Sequence, residues 1–302
     1  MTTSELTLPQ AKEKGAGGRS PGRRRMLGAG KQLHAGPVTY VVLAVLALVS
    51  LAPLLWTAIA ASRNDQRLAQ SPPPLWFGGN LFKNLEAAWD QAGLGTAMVN
   101  STIVAGTITF GTVLFSTLAG FAFAKLRFRF SSTLLLLTIG TMMIPPQLAV
   151  VPLYLWMSDL GWSNQLQTVI LPTVVSAFGT FFMRQYLVQA LPTELIEAAR
   201  VDGASSLRVV WHVVFPAARP AMAVLGLLTF VMAWNDFLWP IIALNQQNPT
   251  VQVALFSLGT GYIPDQSVIM AGALLGTLPL LIAFLLFGKQ IVGGIMQGAI
   301  KG

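Results

Sequence analysis

The sequence predicts an all-α membrane protein with six transmembrane helices and both termini in the cytoplasm, and three observations carry that prediction. First, only 10% of its 302 residues are charged and 54% are apolar or aromatic, against roughly 25% charged in a soluble chain. Second, the charges are clumped: residues 32–62, 91–124, 130–158, 160–183 and 266–288 contain no Lys, Arg, Asp or Glu. Each stretch is long enough for the ~20 helical residues that cross a hydrocarbon core. Third, 16 of the 19 Lys and Arg residues fall in the N-terminal tail, in Lys125–Arg129, in 183–220 and at the C-terminus. By the positive-inside rule those segments are cytoplasmic. An ordinary soluble enzyme, a disordered protein and a nucleic-acid-binding domain are all disfavoured. The net charge of +8 comes from bases placed between apolar runs, so it reports topology and not nucleic-acid binding.

Residues 1–37 are rich in Gly, Ser, Lys and Arg and cannot bury enough apolar surface to offset the entropy of ordering, so they read as a disordered basic cytoplasmic tail. Residues 38–302 form the membrane domain. Its first span, Val38 to Ala61, is too long for a signal-peptide core and lies too far from Arg23–Arg25, so it is expected to be retained. Further spans are predicted at Ala97 to Phe123, Ser132 to Trp156, Leu166 to Phe182, Ala221 to Leu244 and Val268 to Phe287. In the third span Pro145, Pro146 and Pro152 each remove a backbone donor, which fits either a broken helix of a transport path or a kinked packing helix. Gly272 and Gly276 in the sixth span have the spacing of close helix packing.

The segment 183–220 is the longest inside loop after the tail. It has helical grammar of its own: Pro192 suits a first turn, Glu194 and Glu197 lie near the positive dipole end, and Gly203 suits a left-handed cap. Helical spacing places Leu195, Ala198, Ala199 and Asp202 on one face, with the two alanines leaving it flat enough for another protein to approach. A second helical stretch is predicted from Ser205 to Val214, ended by Pro216.

Glu197-Ala198-Ala199, then Gly203, then nine residues, then Val213-Val214-Phe215-Pro216 resemble the EAA motif of permease subunits in ATP-binding cassette (ABC) importers. Val and Phe stand where that pattern has Ile and Leu. Ala122 to Phe128, Met142 to Leu155, Trp234 to Pro240 and Gly298 to Gly302 are similar to the carbohydrate branch, above all its maltose-type second permease. The resemblance implies the type I ABC-importer permease architecture in a prokaryotic plasma membrane. It also implies that Glu197, Ala198, Ala199, Asp202, Gly203 and Pro216 belong to a coupling segment docked in a cytoplasmic ATPase. The implied partners are a second permease, two copies of that ATPase, an extracytoplasmic sugar-binding protein and membrane lipid.

No cofactor site is expected in this chain. Gly28-Ala29-Gly30-Lys31 ends like a phosphate-binding loop, but Arg25 and Gln32 stand where Gly and Ser/Thr are required. ATP and Mg are therefore expected in the partner ATPase, and the chain itself is not expected to be an enzyme. His34 and His212 lie far apart without nearby ligand partners, and cysteine is absent, so no metal site is expected. Asp236 is the only acidic residue well inside a predicted span, which makes it a functional candidate. With Asn235 and Trp234 it suits either contact with sugar in a translocation path or helix packing. Asn100-Ser101-Thr102 has a glycan-acceptor pattern at a span's edge and reads as chance, and most tryptophans read as interfacial anchors. The alternative function is an ion-coupled secondary transporter of a small polar solute, which would depend on Asp236.

Overall fold

The structure is a computed structural model that describes residues 36–260 and 264–299. The predicted tail lies, up to residue 35, outside the described residues. The described chain is helical throughout, with no strand among the described residues. It divides into two compact units, one ending at Ser50 and the other beginning at Leu51, a boundary inside α1 (Pro37–Ala61).

After α1 come α2 (Asp65–Leu68), α3 (Leu81–Gln91) and α4 (Leu94–Lys125). Then α5 (Ser131–Thr141), a 3-10 turn at Pro146–Ala149 and α6 (Val150–Asp159) follow, and after them α7 (Leu166–Ile170) and α8 (Ala177–Ala190). The chain continues through α9 (Thr193–Val201), α10 (Ser206–Val209), a π turn at Val210–Val214 and α11 (Phe215–Asn235). Finally come α12 (Leu238–Ala243), α13 (Val251–Leu258) and α14 (Gln266–Ala299). Among the described residues, four helical stretches are long and apolar enough to cross a membrane: α1, α4, the run Ser206–Asn235, and α14 as far as Gly288. The pair α5 and α6, bent by 87° at its proline-containing break, makes a fifth if it is one span.

Two predicted spans differ from what the structure holds. The fourth, Leu166 to Phe182, is interrupted: α7 stops at Ile170 and α8 starts at Ala177, because Pro172 lacks a donor and Thr173, Val174 and Val175 are stiff at χ1. The fifth begins well before Ala221, since helix runs on through Pro216, and it breaks at Asp236.

Helix α4 is the central member, packed against α8 and α11. Small residues allow that approach. A Cβ at Gly111 would collide with Val174, one at Gly179 would meet Ser116, and one at Gly120 would stand 2.7 Å from the Arg184 backbone nitrogen. Thr112 Oγ1, buried, donates to the Val174 carbonyl at 3.2 Å in the α7–α8 break. At the start of α4, Asn100 Nδ2 donates to the Pro249 carbonyl and Ser101 Oγ accepts from the Val251 amide. Asn100 is therefore a buried clamp on the entry to α13, which leaves its glycan-acceptor pattern without an accessible amide. Gly272 and Gly276 let α14 lie against Leu255 and Val251 of α13.

Gly120→Ala is expected to destabilise the isolated, detergent-solubilised chain by about 1–3 kcal/mol through overpacking. Gly106→Ala in the same helix, with nothing within 4 Å of its Cβ position, is expected to be neutral or to stabilise by up to ~1 kcal/mol. Thermal unfolding of the two variants checks this, and equal shifts would remove the tight α4–α8 interface.

Candidate functional site

The segment carrying the EAA pattern is narrower than the expected 183–220 loop. Residues 183–190 continue α8 and residues 206–220 belong to one helical run, which leaves α9 and its flanks between Leu191 and Ser205. Pro192 is the N-cap of α9, and Glu194 sits in its first turn beside the positive end of the helix. The helix ends in a complete Schellman arrangement. Gly203 has φ +78°, its amide bonds to the Arg200 carbonyl at 3.0 Å, and the Ala204 amide bonds to the Ala199 carbonyl at 2.9 Å. Ser205 then caps α10, accepting from the Arg208 amide. Two short helices are thus joined by a turn that needs one left-handed residue.

Ile196 is the anchor of this unit. It is 6% exposed and packs into a cluster with Met183, Leu187 and Leu191 at the end of α8, and with Val209, Val210, Val214 and Ala218 in the run that becomes α11. Burial of such a side chain is worth about 1.5–3 kcal/mol. Ala199, three residues on, is half-buried against the same cluster. It does not share the open face that sequence spacing gave it with Leu195, Ala198 and Asp202. The larger apolar side chain of Ile196 takes the buried position and turns its i+3 neighbour inward with it.

The open face of α9 carries Leu195, Glu197, Ala198, Val201 and Asp202, all exposed, with Val201 at 88%. Leu207 on α10 extends it at 67% exposure. Val201 and Leu207 were not singled out from the sequence. Their signal was available: each is an apolar residue beside a polar turn and out of phase with the buried stripe. Pro216 is exposed and lies in the first turn of α11, where it does not end the helix. Its missing N–H is accommodated by the π turn immediately before it, in which the Phe215 amide bonds to the Val210 carbonyl five residues back.

The second group of sequence candidates lies at the far end of α11. Trp234 is 1% exposed, stacks on Phe230 and donates its indole N–H to the Gly276 carbonyl at 3.0 Å, so its ring is committed to packing. Asn235 is exposed and accepts from Gln252 Nε2 at 3.4 Å. Asp236 is not inside a continuous helix. Its backbone is extended, and its carboxylate faces the amides of Phe237, Leu238 and Trp239 at the start of α12. Trp239 is also buried, with its indole N–H on the Thr168 carbonyl. Neither indole presents a free face for stacking on a sugar.

Two concavities of the described residues are lined by neither Asn235 nor Asp236. One, of about 780 Å³, lies between α4, α11 and α14 and is lined almost wholly by apolar side chains such as Phe110, Phe215, Met222 and Phe230. It offers a sugar hydroxyl almost nothing to bond and suits hydrocarbon. The other, of about 370 Å³, lies at the end of α4 remote from α9 and presents Asp90, Gln91, Gln246 and Ser257.

Residues 112–295 match the family described as "Binding-protein-dependent transport system inner membrane component". The lactose transport system permease protein LacG of Rhizobium radiobacter is 31% identical over 87% of this chain and 96% of its own length. The arabinooligosaccharides transport system permease protein AraQ of Halalkalibacterium halodurans is 30% identical, over 86% and 94%. The sn-glycerol-3-phosphate transport system permease protein UgpE of Yersinia pestis is 31% identical, over 85% and 95%. In fold, the chain is similar to a chain in the crystal structure of a bacterial ABC transporter involved in the import of the acidic polysaccharide alginate. That likeness has a TM-score of 0.71 at 22% identity, covering 83% of this chain and 94% of the other.

Gly203→Ala is expected to cost about 1–2 kcal/mol at the α9–α10 turn, since a Cβ disfavours the left-handed conformation, and Gly203→Asn to cost less. Hydrogen exchange at the Ala204 amide reports this directly. Faster exchange in the alanine variant than in the asparagine variant is the expected order.

Proposed function

The chain belongs to the family of binding-protein-dependent transport system inner membrane components, and from that premise we propose that it is the permease subunit of an ATP-driven importer of di- or oligosaccharides. The observation that carries the reading is α9: a short helix rooted in the bundle by Ile196, closed by Gly203, and exposing Leu195, Ala198 and Val201 beside Glu197 and Asp202. An exposed apolar strip with charge at its rim is what a protein partner can cover. In this reading Glu197, Ala198, Ala199, Asp202, Gly203 and Pro216 form the coupling segment. Glu197 and Asp202 sit at the edge of the contact, Ala198 within it, Ala199 and Gly203 hold the helix in shape, and Pro216 fixes the exit into α11. The sugar assignment is supported by the relatives whose names give lactose and arabinooligosaccharides as cargo.

Six crossings follow in the proposed topology: α1, α4, α5 with α6, α7 with α8, the run from α10 to α12, and α14. Both ends of the chain are placed in the cytoplasm of a prokaryotic cell, in the type I importer arrangement. The partners are a second permease forming a heterodimer, two copies of an ATPase, and an extracytoplasmic sugar-binding protein that docks on 62–95 and 245–265, where the polar hollow of Asp90 and Gln246 lies. ATP and Mg reside in the ATPase, and this chain binds no cofactor. Asn235 and Asp236 border the sugar path, with Trp234 holding them from behind. ATP-driven closure shifts the two permeases between inward- and outward-facing states, and the sugar contributes only its differential affinity for those states.

Val201→Glu and Glu197→Lys are each expected to reduce co-purification of the ATPase in mild detergent, by roughly tenfold or more for Val201→Glu if it is a central contact. Undiminished ATPase recovery with both would reject the coupling assignment. In the cysteine-free chain, single cysteines at Ser205 and Gln247 are expected to label from the cytoplasmic and outer sides respectively. The ion-coupled alternative makes the opposite energetic forecast: uptake would collapse when the proton or sodium gradient is removed while ATP is maintained.

A further inference from the structure

A helical run without a loop joins the exposed α9–α10 unit to α11, and it contains one irregular turn. In Val210–Val214 the Phe215 amide reaches back five residues to Val210, so this turn holds one residue more than the α-helical ladder on either side. The sequence supplies the cause. In a regular helix the amide of residue 216 would bond to the His212 carbonyl, but Pro216 has no N–H and its ring would strike that carbonyl. Pro220, four residues on and inside α11, removes the next donor on the same side. The ladder is therefore thinned over two turns at the point where α10 passes into the long helix.

The two sides of the wide turn differ. Val210, Val214 and Ala218 are buried against the α8 end and Ile196, at 8%, 0% and 0% exposure. Trp211, 55% exposed, and His212, also exposed, form the outer side. One side is pinned by packing from other helices, while the other carries contacts within the run itself, Trp211 edge-on to Phe215 and His212 Nδ1 beside the Arg208 carbonyl.

We propose that the π turn Val210–Val214, imposed by Pro216, is an adjustable joint that lets the α9–α10 unit rotate against α11 when a docked partner moves it. Shifting the extra residue along the run turns one flank against the other by part of the about 100° that one residue of helix spans, since a full turn would carry Val210 or Val214 out of the cluster. A stiff helix would instead force α10 and α11 to turn as one rod. The proposal rests on the reading of α9 as the ATPase-coupling helix.

The test uses the assembled importer in proteoliposomes. Deleting His212 removes the extra residue and closes the wide turn, with Val210 and Val214 still on one side. The expected result is retained ATPase co-purification and ATP hydrolysis, with sugar uptake per ATP hydrolysed reduced roughly tenfold. Uptake per ATP at the unaltered value would overturn the joint. Failure of the unaltered chain to retain any ATPase would instead overturn the coupling reading on which it rests. Should the deletion variant not assemble, spin labels at the exposed positions Ser206→Cys and Met232→Cys decide the matter in the otherwise unaltered importer. Their distance distribution is expected to shift between the nucleotide-free and ATP-trapped states, and an identical distribution in both would overturn the proposal.

Discussion

The carbonyls of Thr168, Val174 and Pro249 lie where helices stop inside or at the rim of an apolar bundle, and each is met by a side-chain donor from another element: Trp239, Thr112 and Asn100. Hydrocarbon supplies no donors, and an unpaired backbone group there costs several kcal/mol. A membrane protein can break its helices only where the rest of the fold brings a partner to the break. The position of α4 depends on this constraint. It supplies Asn100 and Ser101 at one end and Thr112 in the middle, and its small residues Gly111 and Gly120 admit α8 closely enough for the middle bond to form.

The same constraint organises the two ends of α11. At the end near α13, Asp236 faces the first amides of α12, while Trp234 reaches the Gly276 carbonyl on α14. The break is thus anchored on its α11 side by the Trp234 bond to α14, with Asn235 left exposed at its edge. At the opposite end the chain meets a proline without breaking: it widens into a π turn, because Val209, Val210, Val214 and Ala218 are all buried in one cluster. Packing on one side keeps the helix continuous through a residue that would otherwise end it.

This contrast explains what was legible in the sequence. The first, second and sixth spans were readable because uniform apolarity over 20 or more residues has few other meanings. The end of α9 was readable because Gly203 answers to a single backbone requirement, the positive φ of a Schellman cap. The gap in the fourth span was hidden, since 160–183 carries no charge and hydropathy averages over Pro172. Pro216 reads as a stop because its local effect is visible in sequence and the burial that outweighs it is not. The inward turn of Ala199 and the exposure of Val201 were hidden for the same reason. Which side of a short amphipathic helix faces the protein is decided by which of its apolar residues, here Ile196 and not the isomeric Leu195, meets a cavity that only the assembled bundle contains.

That anchor links fold to transport. Ile196 shares its cluster with α8 and the start of α11, so a force applied to α9 is delivered to both helices chiefly through its one buried side chain, with Ala199 beside it. The most direct test is the number of sugar molecules taken up per ATP hydrolysed by the reconstituted importer carrying Ile196→Ala. With α9 still capped by Gly203 and its outer face intact, the account predicts that ATPase remains bound and active while uptake per ATP falls. An unchanged ratio in a fully assembled complex would contradict it.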